Sequence, residues 1–139
     1  MILLDTNVLI YAFDADSPHR KWARETIANA VANDGAAISA VSLAELCVGD
    51  ADPPTVADRV RSWGVAVLDV PAAAAEPCAR AYRQYRKQRG ASTGTPAPAM
   101  PLPDFFIGAQ AEVMAWKLAT ADRGRFKTYF PVVSLEMPA

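Results

Sequence analysis

Residues 1–13, MILLDTNVLIYAF, decide the fold. Ile2, Leu3 and Leu4 form a short apolar run that ends in the polar triplet Asp5-Thr6-Asn7, and from residue 8 to 13 the apolar positions take up helical spacing. A buried strand, a polar turn and a helix are the opening unit of a parallel α/β sheet. The same alternation continues down the chain. Residues 37–39, 65–70, 117–119 and 132–135 read as further strands. Ser17-Pro18 reads as an N-cap with a first-turn proline for a helix that Asn33-Asp34-Gly35 stops. Further helices are predicted over 42–48, 56–63, 76–89 (Pro77 in its first turn) and 104–114. Residues 90–103, which hold Pro96, Pro98, Pro101 and Pro103, read as a loop inside one domain spanning 1–139.

Composition bounds the function. The chain has 139 residues, 52% hydrophobic and 21% charged, enough for one core. No apolar run approaches the roughly 18 residues that span a bilayer, and residues 1–13 carry no basic flank or cleavage pattern of a secretory signal. Cys47 and Cys78 form no CxxC and build no disulfide framework. These features lead to the expectation of a cytoplasmic protein without a membrane partner. Fourteen basic residues face 15 acidic ones, a net charge of −1. With four acids set aside at a metal site, the remainder is basic, so the balance leaves a nucleic-acid partner open.

Four carboxylates stand out by location. Asp5 ends the first strand, Glu45 lies in the helix of SLAEL, Asp104 opens a helix in LPDFFIGA, and Asp122 follows the fourth strand in LATADRGRF. In an open parallel sheet the carboxyl ends of the strands share one edge, where ligands bind. Each residue also has a purely structural use: Asp5, Asp104 and Asp122 suit helix N-caps, and Ser42 with Glu45 fits a capping box. Four carboxylates together would repel one another strongly, so either their pKa values rise or a cation sits among them. An oxygen-only set favours Mg²⁺, or Mn²⁺, over zinc. Such an ion would orient and acidify a water for in-line attack on phosphorus. Asp5 and Asp104 are the expected direct ligands, Asp122 completes the site directly or through water, and Glu45 binds metal or takes the water's proton.

Other chemistries find little support. Asn7 stands where an aspartyl phosphatase would carry its second acid, and neither GxGxxG nor a P-loop occurs. His19 reads as a solvated surface residue, Trp22, Trp63 and Trp116 as packing residues, and Cys47 as a small buried hydrophobe. Arg123, Arg125 and Lys127 follow Asp122 directly and are expected to rim the site as RNA contacts. Arg80, Arg83 and Lys87 share one helix face with Arg86 and Arg89 beside it, a second and weaker candidate surface.

The stretches MILLDTNVLIYAFD, ISAVSLAEL, LPDFFIGAQA and LATADRGRFKTYFPVVSL, in this order and spacing, resemble PIN-domain ribonucleases, and more narrowly the VapC-type toxins of type II toxin–antitoxin pairs. The resemblance implies a three-layer α/β/α PIN-like fold with a mostly parallel central sheet. It makes Asp5, Glu45, Asp104 and Asp122 the metal-binding quartet, with Thr6, Asn7, Ser42 and Thr120 as supporting polar neighbours. It implies a Mg²⁺-dependent endoribonuclease acting on tRNA or other structured RNA, leaving a 3′-hydroxyl and a 5′-phosphate. A homodimer and a VapB-type antitoxin, whose C-terminal segment blocks the acidic site, are the implied partners. An arginine from that segment would replace the metal's charge. Two other readings stay open: a PIN nuclease of RNA processing, and a metal- or partner-binding module without turnover.

Overall fold

The computed structural model describes residues 1–94 and 97–139. The elements run β1 (Ile2–Leu4), α1 (Thr6–Ala12), α2 (Arg20–Asn29), β2 (Ala36–Ser39), α3 (Ala40–Val48), α4 (Val56–Ser62), β3 (Val65–Leu68), α5 (Ala75–Thr93), α6 (Pro103–Met114), β4 (Lys117–Ala119), α7 (Arg125–Tyr129) and β5 (Leu135–Glu136). All four strand pairings are parallel, in the order β3-β2-β1-β4-β5. From β1 the chain builds outward on one side through β2 and β3. It then returns to build β4 and β5 on the other side. The switch point therefore falls between the carboxyl ends of β1 and β4.

Strand periodicity sorts the core into two layers. Leu3, Ala37 and Leu118 face one side and pack with residues of α5, α6 and α7, among them Cys78, Phe105, Ile107 and Phe126. Ile2, Leu4, Ile38 and Ala119 face the other and pack with Val8, Leu9, Ala23, Ile27 and Val60 of α1, α2 and α4. The sheet is thus covered on both faces, giving the expected three-layer α/β/α arrangement. Gln110, fully buried on α6, donates from Nε2 to the Asp69 carbonyl at 3.1 Å and ties that helix to the segment after β3. No helix among the described residues is long and apolar enough to cross a membrane.

Several boundaries differ from the sequence reading. α1 begins at Thr6, ahead of residue 8, because Asp5 caps it by accepting the Thr6 N–H at 2.8 Å. Ser17 does not cap α2. Its hydroxyl accepts the His19 N–H at 3.1 Å in the turn before Arg20, and the helix passes through a π-helical stretch, Ala30–Asp34, before Gly35 turns the chain at φ 82°. α5 runs past Gly90 to Thr93, since the left-handed cap is Gly94 at φ 72°, whose N–H donates to the Gly90 carbonyl at 3.1 Å. The expected 90–103 loop is shortened accordingly, and its Pro96 lies outside the described residues. Ala97 is buried, and the Tyr82 hydroxyl donates to the Pro98 carbonyl at 2.6 Å, so this part of the segment packs back on α5. The last strand is Leu135–Glu136 and not 132–135, because Val133 is drawn into a turn whose N–H donates to the Phe130 carbonyl. Cys47 is half-buried, as are all three tryptophans, and His19 is partly covered by the Tyr11 ring at 5.5 Å.

Gly108 of α6 packs closely against Phe130, in the core layer that holds Leu3 and Leu118. A Cβ there would lie 2.5 Å from ring carbons of Phe130, which is wholly buried among Phe105 and Phe126. Overpacking of this kind outweighs the helix propensity that alanine gains over glycine. Gly108→Ala is therefore expected to lower stability by about 1–2 kcal/mol, read as a lower midpoint in chemical denaturation; an equal or higher midpoint would show that Phe130 yields freely.

Candidate active site

The sheet brings the candidate residues to its switch point. The Asp5 N–H donates to the Ala119 carbonyl at 2.9 Å, setting the residue after β1 beside the residue after β4. Asp5 is 3% exposed. One of its oxygens accepts the Thr6 N–H, and the other accepts the Thr120 hydroxyl at 2.7 Å. Thr120 Oγ1 in turn accepts the Asp122 N–H at 3.0 Å and the Asn7 side-chain amide at 3.4 Å. Asn7 Oδ1 accepts the Ala121 N–H at 3.3 Å. One buried threonine therefore holds Asp5, Asn7 and the backbone leading to Asp122 in register.

Glu45 enters from α3. The helix is capped by Ser39, whose hydroxyl accepts the Val41 N–H at 3.2 Å. Ser42 and Glu45 therefore do not form the capping box that their spacing allowed, and Glu45 lies one turn further into the helix than expected. Thr6 Oγ1 donates to Glu45 Oε1 at 2.7 Å and lies 2.9 Å from the buried Ser42 hydroxyl. Asp104 is the second residue of α6, after Pro103; Leu102 takes the cap position. Its Oδ2 accepts from Arg125 Nη1 at 2.9 Å. Asp122 Oδ1 accepts the N–H groups of Gly124 and Arg125 at 2.9 and 3.1 Å, which aligns the start of α7.

Burial pushes the Asp5 carboxyl up to about 7 from 3.8. The Thr120 and Thr6 hydrogen bonds oppose that rise, while the negative charges of Asp104 and Glu45 add to it. Asp104 and Glu45 thus both bear on Asp5. Asp122 joins them through Thr120 and the backbone. Among the described residues no three acids, histidines or cysteines stand close enough to hold an ion as they are placed. The donor chemistry nonetheless fits a divalent cation: the groups are oxygen ligands, and their mutual repulsion is what such a charge would relieve. One oxygen of Asp104, Oδ2, is held by Arg125.

The basic residues divide. Arg125 is at the site, its guanidinium carbon 5.3 Å from the Tyr85 ring centre and 5.6 Å from that of Phe105. Arg123 instead turns to the chain's end, donating to the Pro138 carbonyl at 2.6 Å. Lys127 and Arg86 are exposed, and Arg80 is paired with Glu112 at 2.6 Å. Tyr85 is the site residue that sequence reasoning missed. It reads as one apolar position of a long helix, and nothing local signals that Arg125 will lie across it.

With this geometry the class can be stated. The PIN-domain family model matches residues 2–130, and the chain belongs to that family. Among solved structures, a DNA-bound VapBC complex from Salmonella typhimurium is 23% identical with a TM-score of 0.66, covering 98% of this chain and 96% of that one. A toxin–antitoxin complex from Klebsiella pneumoniae is 25% identical with a TM-score of 0.63, covering 100% and 98%. VapC20 of Mycobacterium tuberculosis, a toxin that cleaves the sarcin–ricin loop, is 17% identical with a TM-score of 0.59, covering 92% and 94%. No curated protein sequence matches.

The raised Asp5 carboxyl has a signed consequence. Between the unfolded value near 3.8 and the folded value of about 7, the native state keeps a proton that the unfolded chain has lost. Stability from this group is complete below the lower value and is lost as pH rises through the upper one. Asp5→Asn removes the dependence. Measured without divalent ions, the variant should gain on the natural protein by about 2 kcal/mol between pH 5 and pH 7. Parallel stability–pH curves for the two proteins would show that Asp5 ionises normally.

Proposed function

We propose that this chain is a divalent-metal-dependent endoribonuclease, the toxin of a type II toxin–antitoxin pair, hydrolysing phosphodiester bonds of structured RNA, with tRNA the first substrate to test. The observation that carries the reading is the buried Asp5 carboxylate at the switch point, with Glu45 and Asp104 close enough to raise its pKa. A hydrolase uses acids crowded in a buried place to gather a cation and a water. Resemblance to VapBC complexes and to an RNA-cleaving toxin supports the assignment.

In this reading Asp5 and Asp104 hold Mg²⁺, with Asp122 directly or through water. When bound, the ion acidifies the attacking water and neutralises charge growing on the phosphate. The chain's own residues do the positioning. Thr120 and the Thr6 N–H fix both oxygens of Asp5, and the Thr6 hydroxyl fixes Glu45. Glu45, oriented by Thr6, takes the proton of the water. No protein nucleophile is required.

Incubating the purified protein with total small RNA, with Mg²⁺ or with EDTA, tests this. Discrete Mg²⁺-dependent fragments are expected, with at least a hundredfold loss in Asp5→Asn and Asp104→Asn, the scale of removing a catalytic group. Absence of cleavage by folded protein with any divalent ion would favour the binding module.

A specific feature supports the antitoxin. An apolar groove of about 500 Å³ runs between α1, α3 and α4, lined by Leu9, Ile10, Phe13, Leu46 and Trp63, and Glu45 lies at its wall. Ile10 and Phe13 are about half exposed there, and Phe13 stacks on Trp63 at 4.2 Å. Such a groove accepts the apolar face of a helix and leads its end to the acidic site. Phe13→Glu is expected to weaken binding of the antitoxin's C-terminal segment more than about tenfold; unchanged affinity would place the partner elsewhere.

A further inference from the structure

The geometry points to Arg125 as an internal occupant of the cation position at Asp104, a positioning residue that divalent-ion loading must displace and that then serves as a ligand for the substrate's phosphate. The inference rests on the nuclease reading of the same site. Arg125 is anchored between two of the four acids. Its backbone N–H donates to Asp122 Oδ1 at 3.1 Å, and its guanidinium donates to Asp104 Oδ2 at 2.9 Å. Only the side chain need move to free Asp104, because the backbone contact to Asp122 does not depend on it. The pair is not a loose surface contact, since each side chain is 28% exposed. The planar guanidinium lies over the rings of Tyr85 and Phe105, and Phe105 is the buried neighbour of Asp104 in the chain. Cation–π contact with these rings can retain the charge near the site after it leaves the carboxylate.

Charge balance explains why the exchange is reversible. Glu45 and Asp104 both bear on Asp5, and the guanidinium on Asp104 supplies one positive charge beside them. A divalent ion supplies two and makes the arginine redundant at Asp104. An incoming phosphodiester brings a new negative charge, for which the fork of an arginine is well matched. Arg123, the neighbouring candidate, is engaged with Pro138, and Lys127 is exposed on the last turn of α7. Arg125 is the rim residue whose side chain is already inside the site.

Calorimetric titration of the full chain with Mn²⁺ tests the proposal, comparing the natural protein with Arg125→Gln and Arg125→Met. The methionine variant keeps an unbranched stem on Tyr85 and Phe105, and so separates lost charge from lost packing. Both variants are expected to bind Mn²⁺ about tenfold tighter, equivalent to about 1.4 kcal/mol. With Mn²⁺ loaded and a non-hydrolysable RNA analogue, both should bind RNA about fivefold more weakly. If the natural protein takes up Mn²⁺ and the variants bind it no more tightly, the role of Arg125 is overturned while the nuclease reading stands. If no form takes up Mn²⁺, both fall.

Discussion

The hydrogen bond from the Thr120 hydroxyl to the buried carboxylate of Asp5 joins the two halves of the molecule. β1 and β4 are neighbours in the sheet although most of the chain separates them in sequence, and the residues just beyond their carboxyl ends meet at the point where the strand order reverses. Asp5 also caps α1, so the carboxylate that would serve chemistry is the one that starts the first helix. Thr120 takes the Asp122 N–H as well, which fixes how the chain leaves β4 toward α7. Moving either residue would disturb a helix start, a strand pairing and a candidate ligand together.

That arrangement is costly in isolation. Holding Asp5 ionised where burial lifts its carboxyl from 3.8 to about 7 opposes folding by about 4 kcal/mol at alkaline pH. The fold supplies partial relief through two hydrogen bonds and, next door, through the guanidinium of Arg125 on Asp104. A divalent ion, a partner's arginine and Arg125 would all answer the same electrostatic need. Glu45 is one of the residues that line the apolar groove beside α1 and α3.

Much of this was legible along the chain because strands and acids are read from local pattern. Ile2–Leu4 and Lys117–Ala119 follow from short apolar runs next to polar turns, and Asp5 and Asp122 from their places just beyond those runs. What misled was also local. Gly90 looked like the end of a helix, yet backbone curvature does not require a stop there, and Gly94 takes the left-handed conformation instead. Ser42 and Glu45 matched a capping box by spacing, but Ser39, at the end of β2, reached the cap position first.

The sequence by itself determined the alternating α/β architecture and singled out four acids by their location, because periodicity and turn chemistry act over a few residues. Only the tertiary structure decided which groups those acids touch. Whether Glu45 meets Thr6, whether Arg125 faces Asp104 or solvent, and whether Arg123 turns to Pro138 depend on how helices far apart in the chain cross one sheet edge. Side-chain reach and burial at that edge are properties of packing, which no local pattern encodes.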